Sequence, residues 1–405
     1  KKPLSRSIKQ FSELEKFRKL DKAAGRGDFF DTLKSAVCGR QTADLCGKEN
    51  DMKKLNVVRL GLLFAGCFLG AGYVSGQELR QYFVVYGAWG YVGLFVAIAL
   101  LYGFGVLCLR MAQKTGLTEV DEQVLPWKAR WLHVLVMLLE SLFLFALVTI
   151  MCAGVGALGA QLFGLPHWLG GGLFAALVLA CALAGLQSIV SAFSVSVPLL
   201  VLATLGFGIA ALCQGRPAIE AADASGGNAL LGGWFFSAVN YACYNILSTL
   251  AILGPFGPYL RRRSTVYAGL GLGAALLAVI ALSVMRSLQT WGGAQTAELP
   301  MLSAAAQLGI VPMYLYALLL FAGMFGSALS NAVAFVGYCC AKFPPVRQRK
   351  TAFTVLTILL AYLASLFGFS DLIGTVYPVF GYASAAFLAF MLLHAAKLRR
   401  AARHL

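Results

Sequence analysis

The stretch of sequence that decides the fold runs from residue 66 to residue 78 and reads GCFLGAGYVSGQE. It lies within a long apolar segment, yet it contains four glycines, two hydroxyl groups, one amide and one carboxyl group. Each glycine costs up to about 1 kcal/mol in a helix relative to alanine, and an ionisable side chain is costly where a helix contacts lipid. The stretch therefore predicts a helix that is interrupted within an apolar span.

The composition around this stretch is that of a membrane protein. Of the 405 residues, 59% are hydrophobic and 12% are charged, and the mean hydropathy is +0.76. A soluble domain carries about a quarter charged residues, so the composition excludes an ordinary soluble enzyme and predicts a polytopic membrane protein. Most of the ten cysteines are scattered through apolar segments without metal-binding or disulfide spacing, so they act as small apolar residues.

The first 51 residues differ from the rest of the chain. They hold 12 Lys and Arg and 8 Asp and Glu, with no long apolar run and no signal-peptide pattern. We interpret residues 1–51 as a non-native or disordered extension. Met52-Lys53-Lys54 resembles the start of a bacterial membrane protein, so the membrane domain is predicted to cover residues 52–405.

Apolar segments long enough to cross a bilayer alternate with polar loops from residue 57 onward. About 20 residues are needed for one crossing, and we predict ten spans in two halves, residues 57–213 and 232–396. Because each half has an odd number of spans, the second half must be inverted relative to the first. The predicted bounds are 57–84, 88–112, 131–162, 166–186, 190–213, 232–259, 264–288, 312–341, 350–368 and 372–396.

The basic residues of the membrane domain predict its orientation. With both termini in the cytoplasm, 18 Lys and Arg residues fall on the cytoplasmic side and three fall outside, as the positive-inside rule requires. The positive charge therefore reports topology, and no nucleic-acid partner is expected. The expected surroundings are the lipid bilayer of a bacterial cytoplasmic (inner) membrane, and the oligomeric state is left open.

The sixth span repeats the unusual composition of the first. It begins with Gly232-Gly233, contains the polar stretch Asn240–Asn245, and ends in the Gly- and Pro-rich residues 254–258. Paired interruptions at matching positions of inverted repeats mark the central site of a transporter. The fold prediction is therefore an all-α membrane protein with ten transmembrane helices, of which the first and sixth are broken.

A groove of small residues for helix packing is the alternative interpretation of these glycines. It does not explain Gln77, Glu78, Asn240 and Asn245, so we favour broken helices. The backbone amides exposed after a break suit an anionic group such as a carboxylate. The predicted substrate-binding residues are Gly70, Ala71, Gly72, Tyr73, Ser75, Gln77, Asn240, Tyr244 and Asn245.

Residues 70–78 resemble the opening motif of the YkvI-type bacterial membrane proteins, which are similar to the LeuT-fold group, the amino acid–polyamine–organocation superfamily. The resemblance covers residues 52 to about 396. It implies a 5+5 inverted-repeat transporter that moves a small organic solute, such as an amino acid, by ion-coupled alternating access. The sequence departs from the sodium–neurotransmitter symporters, whose first helix continues with aromatic-Arg-Phe-Pro, because Gln77-Glu78-Leu79-Arg80 stands there.

Two coupling ions are compatible with the sequence. Ser327, Ser330 and Asn331 share one face of the eighth span, and a break in the first helix would free carbonyl groups near Gly66 and Leu69. Oxygen ligands of this kind suit Na⁺, and similar LeuT-fold transporters hold sodium between these two helices. If protons drive transport instead, Glu78 or Glu140 carries the coupling. No cofactor other than a possible Na⁺ is expected.

Arg80 and Asp371 are two of the few external charges, and the resemblance places them on helices that line the outer entrance. We predict that they pair as an outer gate, with two solvated loop charges as the alternative. The chain has no phosphate-binding Gly loop and no GxSxG elbow, so neither an ATP-driven pump nor an enzyme is predicted. A membrane ligand sensor without net transport remains the alternative function.

Overall fold

A computed structural model describes residues 56–116, 120–127, 129–184, 196–214, 228–260, 262–291 and 297–403. The predicted N-terminal extension lies outside these residues. Within them the chain is helical, without any β-strand. The helices are α1 (Val57–Phe68), α2 (Ala71–Val74), α3 (Gln77–Tyr82), α4 (Ala88–Thr115), α5 (Val120–Val124), α6 (Arg130–Phe163), α7 (His167–Leu183), α8 (Ser196–Cys213), α9 (Trp234–Leu253), α10 (Arg263–Thr290), α11 (Pro300–Gln307), α12 (Ile310–Lys342), α13 (Pro344–Gln348), α14 (Lys350–Ser365) and α15 (Phe369–Arg403).

The first span is broken twice, as the glycine-rich stretch predicts. Helix α1 ends at Phe68, the single turn α2 follows, and α3 begins only at Gln77. Gly76 forms the N-cap of α3 with a φ of 83°, a backbone conformation that a residue with a side chain rarely adopts. The interrupted first helix is thus confirmed.

The sixth span is predicted to be broken, but the structure shows no interruption within its α-helix. Helix α9 is a continuous α-helix across the polar stretch Asn240–Asn245, and only its end changes, into a 3-10 helix over Gly254–Tyr259. The polar side chains do not open the backbone, because Asn240 makes its bonds to a neighbouring helix and Asn245 bonds a carbonyl of its own helix. The sixth span therefore changes from an α-helix to a 3-10 helix at its end and is not interrupted at its centre.

The described residues contain five helices long and apolar enough to cross a membrane, and they correspond to the second, third, seventh, eighth and tenth spans. Shorter apolar helices stand at the first, fourth, fifth and ninth spans. Large apolar side chains point outward, including Leu173, Leu318 and Trp131 with 63, 64 and 68% of their surfaces exposed. Exposed apolar side chains on this scale suit contact with lipid. The chain is a helical membrane protein, and its division into ten spans stays a prediction.

Contacts near the helix ends agree with the predicted alternation of spans. At the end predicted to face outward, Gln161 bonds Ser303 and Trp89 stacks on Trp234. At the opposite end, His394 bonds the carbonyl of Gln123. Each contact joins residues that the prediction assigns to the same side, and we call these sides the outer and inner ends.

Helix pairing also follows the pattern that two repeated halves predict. Helix α1 packs on α10, α9 packs on α4, and α6 packs on α12. When each helix is replaced by its counterpart in the other half, the pair of α1 and α10 becomes the pair of α9 and α4. The pair of α6 and α12 stays the same, because these two helices are counterparts of each other. The short helices α5 and α11 are also counterparts, because α5 follows the second span and α11 follows the seventh.

Candidate functional site

The centre of the candidate site is the carboxyl group of Glu78, on the first turn of α3. Its side chain is 6% exposed and folds back over Gly72 so closely that a methyl group on Gly72 would overlap the carboxyl. Tyr244 donates its hydroxyl proton to Glu78 Oε2 across 3.1 Å, and Tyr377, which stacks on Tyr244, is an electrostatic neighbour of this carboxyl. The broken helix therefore holds a carboxyl group of the chain itself at the break.

Aromatic rings from four spans surround this carboxyl, and we call them the tyrosine cluster: Tyr82 of α3, Phe143 of α6, Tyr241 and Tyr244 of α9, and Tyr377 of α15. Tyr244 stacks on Tyr377 with ring centroids 4.7 Å apart, and Tyr82 lies 5.4 Å from Tyr241. Phe143 contacts both Tyr244 and Tyr377. The hydroxyl of Tyr241 is buried and has no hydrogen-bond partner among the described residues.

The two breaks of the first span leave carbonyl groups that other helices bond. The Tyr316 hydroxyl, from α12, donates to the Val74 carbonyl, and the Met301 amide, from α11, donates to the Ser75 carbonyl across 2.9 Å. Ser75 itself donates to the Gly72 carbonyl across 3.0 Å. Backbone groups freed inside a membrane must find such partners, so the break is built into the packing of the surrounding helices.

The outer half of the first span is attached to the start of the tenth span through Ser370. Gln77 Nε2 donates to Ser370 Oγ across 2.6 Å, and Gln81 Nε2 donates to the Ser370 carbonyl across 2.8 Å. Arg80 Nη2 reaches the same hydroxyl at 3.5 Å. Together with Met301 at Ser75, these bonds hold α3 against α11 and α15 at the outer end.

The predicted gate pair is not formed in this structure. Among the described residues, ion pairs join His133 to Asp121 and His167 to Glu298, and none joins Arg80 to Asp371. The Asp371 carboxylate lies against Gly368, near Glu298, whereas Arg80 reaches Ser370, one residue earlier. The pairing of Arg80 with Asp371 as a gate stays a prediction, and in this structure the same two helices are joined through Ser370.

Asn240 was predicted to bind substrate, and the structure places it in a structural contact. Its Nδ2 donates to the carbonyl of Pro378 across 2.9 Å, and its Oδ1 accepts from Tyr82 at 3.3 Å. Pro378 lies inside α15 and removes one helical hydrogen bond, and Asn228 bonds the Gly374 carbonyl that this proline leaves free. Asn240 thus links α9, α3 and the proline of α15.

The other predicted substrate residues divide into two groups. Tyr244 and Gly72 contact Glu78, as described above. Tyr73 donates its hydroxyl proton to the Leu277 carbonyl across 2.8 Å, and Asn245 donates to the Tyr241 carbonyl of its own helix. A methyl group on Gly70 would meet nothing within 4 Å. Ala71 begins α2, and its side chain lies outside the described part of the structure.

The predicted sodium ligands stay a prediction. Asn331 donates to Ser327 across 3.2 Å within α12, and both residues are half-buried, as is Ser330. Gly66 is exposed, and Leu69 caps the end of α1. These positions have the oxygen atoms that such a site needs.

Glu140, the second predicted proton carrier, is half-buried on α6, and Tyr338 of α12 is an electrostatic neighbour. Its role in coupling stays a prediction.

No protein-family model matches the chain. The chain is 23% identical to the membrane protein YkvI of Bacillus subtilis over 351 residues, which cover 86% of this chain and 99% of that protein. It is 25% identical to YyaD of the same organism over 345 residues, covering 82% and 95% of the two chains. The chain is a homologue of YkvI and YyaD. The resemblance expected from residues 70–78 is thus confirmed.

Among solved structures, the chain is similar to the manganese transporter of Eremococcus coleocola in complex with an aromatic bis-isothiourea substituted compound. The TM-score is 0.52 at 14% identity, covering 86% of this chain and 80% of that one. At this identity the likeness shows the fold alone, which is of the LeuT type. The described residues contain no group of three or more His, Cys, Asp or Glu side chains able to hold a metal ion.

Sequence reasoning missed five residues of the site in this YkvI homologue. Tyr82, Phe143, Tyr241 and Tyr377 supply rings to the cluster, and Ser370 attaches α3 to α15. The sequence carried one usable signal, since Tyr241 lies beside the predicted Asn240. Nothing in the local pattern around Ser370 or Tyr377 distinguishes them from other polar residues of the tenth span.

Proposed function

We propose that the chain is a secondary active transporter that moves a small organic solute by alternating access, driven by an ion gradient. The observation that carries the proposal is the buried polar centre at the break of the first span. A carboxyl group and several hydroxyl groups there lie between helices of both halves of the chain. Buried ionisable groups inside a membrane are expensive, and they usually serve a transported ion or solute.

The difference between the outer and inner ends of the first span supports alternating access. On the outer side, α3 is held by Ser370 and α11 covers the break through Met301. On the inner side, methyl groups on Gly66 and Gly70 would meet nothing within 4 Å. The bonds of Ser370 and Met301 thus cover the break on the outer side, and the glycines on its inner side are exposed.

The solute is an amino acid or a related compound, as the resemblance implies. Sodium at Gly66, Leu69, Ser327, Ser330 and Asn331 is one coupling mechanism. Proton binding at Glu78 or Glu140 is the other.

Counterflow in proteoliposomes tests the proposal. Vesicles loaded with an unlabelled solute should accumulate the same labelled solute when the purified protein is present, and empty vesicles should not. Amino acids, amines and nucleobases form the panel. Saturable binding without counterflow for any bound compound would contradict transport and favour a ligand sensor.

The coupling ion is tested by measuring uptake against sodium concentration in the wild type and in Ser330→Ala. A sodium site predicts a raised sodium requirement in the variant, with Ser283→Ala as a control, since Ser283 lies on α10 and bonds its own helix. Uptake that follows a pH gradient in sodium-free buffer, with no effect of Ser330→Ala, would contradict the sodium site.

A further inference from the structure

The short helix α5 is attached to two long helices at the inner end, α6 and α15. On the side of α6, His133 forms an ion pair with Asp121 of α5. On the side of α15, His394 Nδ1 lies 3.0 Å from the carbonyl oxygen of Gln123. Helix α5 therefore joins the third span to the tenth at the inner end, whereas its counterpart α11 covers the break at the outer end through Met301.

Both ring nitrogens of His133 face hydrogen-bond acceptors. Nδ1 lies 2.8 Å from Oδ2 of the Asp121 carboxylate, and Nε2 lies 3.0 Å from the Trp127 carbonyl oxygen. An ionised carboxylate and a backbone carbonyl accept hydrogen bonds and donate none. A neutral imidazole carries one N–H group, whereas an imidazolium carries two. Both contacts are therefore hydrogen bonds only while His133 and Asp121 share an additional proton.

The pair is accessible to water at the inner end. The side chains of His133 and Asp121 are 24% and 20% exposed, so the pair exchanges protons with the solution. When the proton leaves, the imidazole keeps one donor for two acceptors. Hydrogen bonds between charged groups are roughly twice as strong as neutral ones, so the contact between α6 and α5 is weakest without the proton.

Further charged and titratable groups lie on the helices packed around α5 and α6. They are Glu122 of α5, Arg130 and Glu140 of α6, Arg110 and Lys114 of α4, Tyr338 of α12, Lys350 of α14, and His394 and Lys397 of α15. Histidine is the one residue type among these groups whose ordinary charge change falls between about pH 5 and 8. His394 contacts one acceptor through one nitrogen, which a neutral imidazole satisfies, whereas His133 contacts two.

We propose that His133 and Asp121 form a proton-binding site that fixes α5 at the inner end, and that release of the proton frees α5 from α6. The bound proton sets how firmly α5 joins the third span to the tenth, whichever solute or coupling ion the protein moves. A dependence of transport on the pH at the inner side follows from the site only together with the proposed function. The site itself is measured without solute.

Hydrogen exchange of residues 120–127 measures the attachment of α5 in the full chain in detergent. The protection factor, which corrects for the intrinsic effect of pH on exchange, is the quantity compared. The pair holds its proton at low pH and loses it as the pH rises through the titration of His133. Protection is therefore expected to be highest at low pH and to fall about tenfold between about pH 5 and 8.

Two substitutions at the pair have opposite expected outcomes. His133→Gln has one donor nitrogen for two acceptors, so protection should stay at the low level at every pH. In Asp121→Asn, the new amide donates to Nδ1 of a neutral His133, whose Nε2–H still donates to the Trp127 carbonyl. Both contacts then persist without the additional proton, so protection should stay high and change by less than about twofold over the same range.

His394→Gln is the matched control on the other side of α5. It removes the second histidine that contacts this helix, and it should keep the fall in protection of about tenfold. Nitrogen NMR of isotope-labelled histidine reads the proton directly. The signals that disappear in His133→Gln should show both ring nitrogens protonated at about pH 5 and one of them deprotonated at about pH 8.

A wild type whose protection does not change with pH, or a pH response that persists in His133→Gln, would overturn the proposal. So would a response that is lost in His394→Gln. If His133→Gln does not fold, a pH response in Asp121→Asn equal to that of the wild type contradicts the proposal. Counterflow separates this site from the proposed function. A normal pH response without counterflow contradicts transport, whereas counterflow without a pH response contradicts the proton site.

Discussion

The first and sixth spans occupy matching positions in the two halves of the chain, and both are rich in glycine and polar residues, yet only one is broken. The first span stops at Phe68 and resumes as a regular helix at Gln77, whereas α9 runs without interruption from Trp234 to Leu253. The difference lies in where the polar groups find their partners. In the first span, Val74 and Ser75 offer backbone carbonyls to Tyr316 and Met301.

In the sixth span the polar side chains make hydrogen bonds, and the backbone remains a regular α-helix. Asn240 reaches a carbonyl of α15, and Asn245 bonds a carbonyl of its own helix. Polar residues in a membrane span therefore indicate buried contacts, whereas closely spaced glycines, one of them with a positive φ, indicate a real interruption. This comparison can be tested by removing the feature that each span depends on.

The largest effect is expected from Gly72→Ala in the broken span. The added methyl group overlaps the Glu78 carboxyl, whose surroundings are tightly packed tyrosine rings. Overpacking of this kind costs about 3 kcal/mol at its upper end, and we expect that loss in the free energy of unfolding in mixed micelles, together with loss of solute binding. Gly103→Ala, where a methyl group meets nothing within 4 Å, is the matched control. Equal free energies of unfolding for the two variants would contradict the prediction, because they would show that the Glu78 carboxyl can move away from an added methyl group without cost.

The second prediction concerns the unbroken span. Asn240→Ala leaves the Pro378 carbonyl and the Tyr82 hydroxyl without partners, which should cost about 2 kcal/mol in the free energy of unfolding. In a double-mutant cycle, Tyr82→Phe should cost less in the Asn240→Ala background than in the wild type, because their shared bond is already lost. Strictly additive losses would contradict the role of Asn240 as a link between α3 and α9.

The sequence predicts the class of the fold and the broken first helix, because glycine content and span length are local properties. The site is predictable only in part. Gly72, Glu78 and Tyr244 contact one another as a central site requires, but Tyr377 and Ser370 come from the tenth span, about 290 residues away in the chain. Which residues of α15 contact α3 depends on how α15 is rotated about its own axis within the bundle. A single sequence does not determine that rotation. For the same reason the prediction chose Asp371 by its charge and missed Ser370 beside it.

A third and smaller effect is expected from Ser370→Ala at the outer end. The substitution removes the hydroxyl that accepts from Gln77, Arg80 and Gln81 but leaves the backbone carbonyl to which Gln81 also donates. Losing about 1 kcal/mol from this contact should raise hydrogen exchange of residues 77–82 by about fivefold. Ser365→Ala, which removes a bond to the carbonyl of Tyr362 in the same turn, should leave exchange in α3 unchanged. An unchanged rate in Ser370→Ala would mean that the Met301 bond and the Gln81 bond to the Ser370 carbonyl suffice to hold the outer half of the first span.

The smallest effect is a pH dependence at the outer cover of the break. Glu298 precedes α11, and burial raises the pKa of its carboxyl above the ordinary value. The neighbouring Asp371 raises this pKa further, whereas His167, whose ring nitrogen lies 3.6 Å from the carboxyl, lowers it. A carboxyl whose pKa is raised on folding stabilises the folded state below its unfolded pKa of about 4.3, and this contribution is lost as the pH rises through the folded pKa. The unfolding temperature should therefore fall with rising pH above about 4.3 in the wild type, and less steeply in Glu298→Gln. Repeating both titrations in a His167→Gln background removes the opposing charge and should steepen the difference. Identical slopes with and without the Glu298→Gln substitution, in both backgrounds, would show that the cover of the broken span does not respond to this carboxyl.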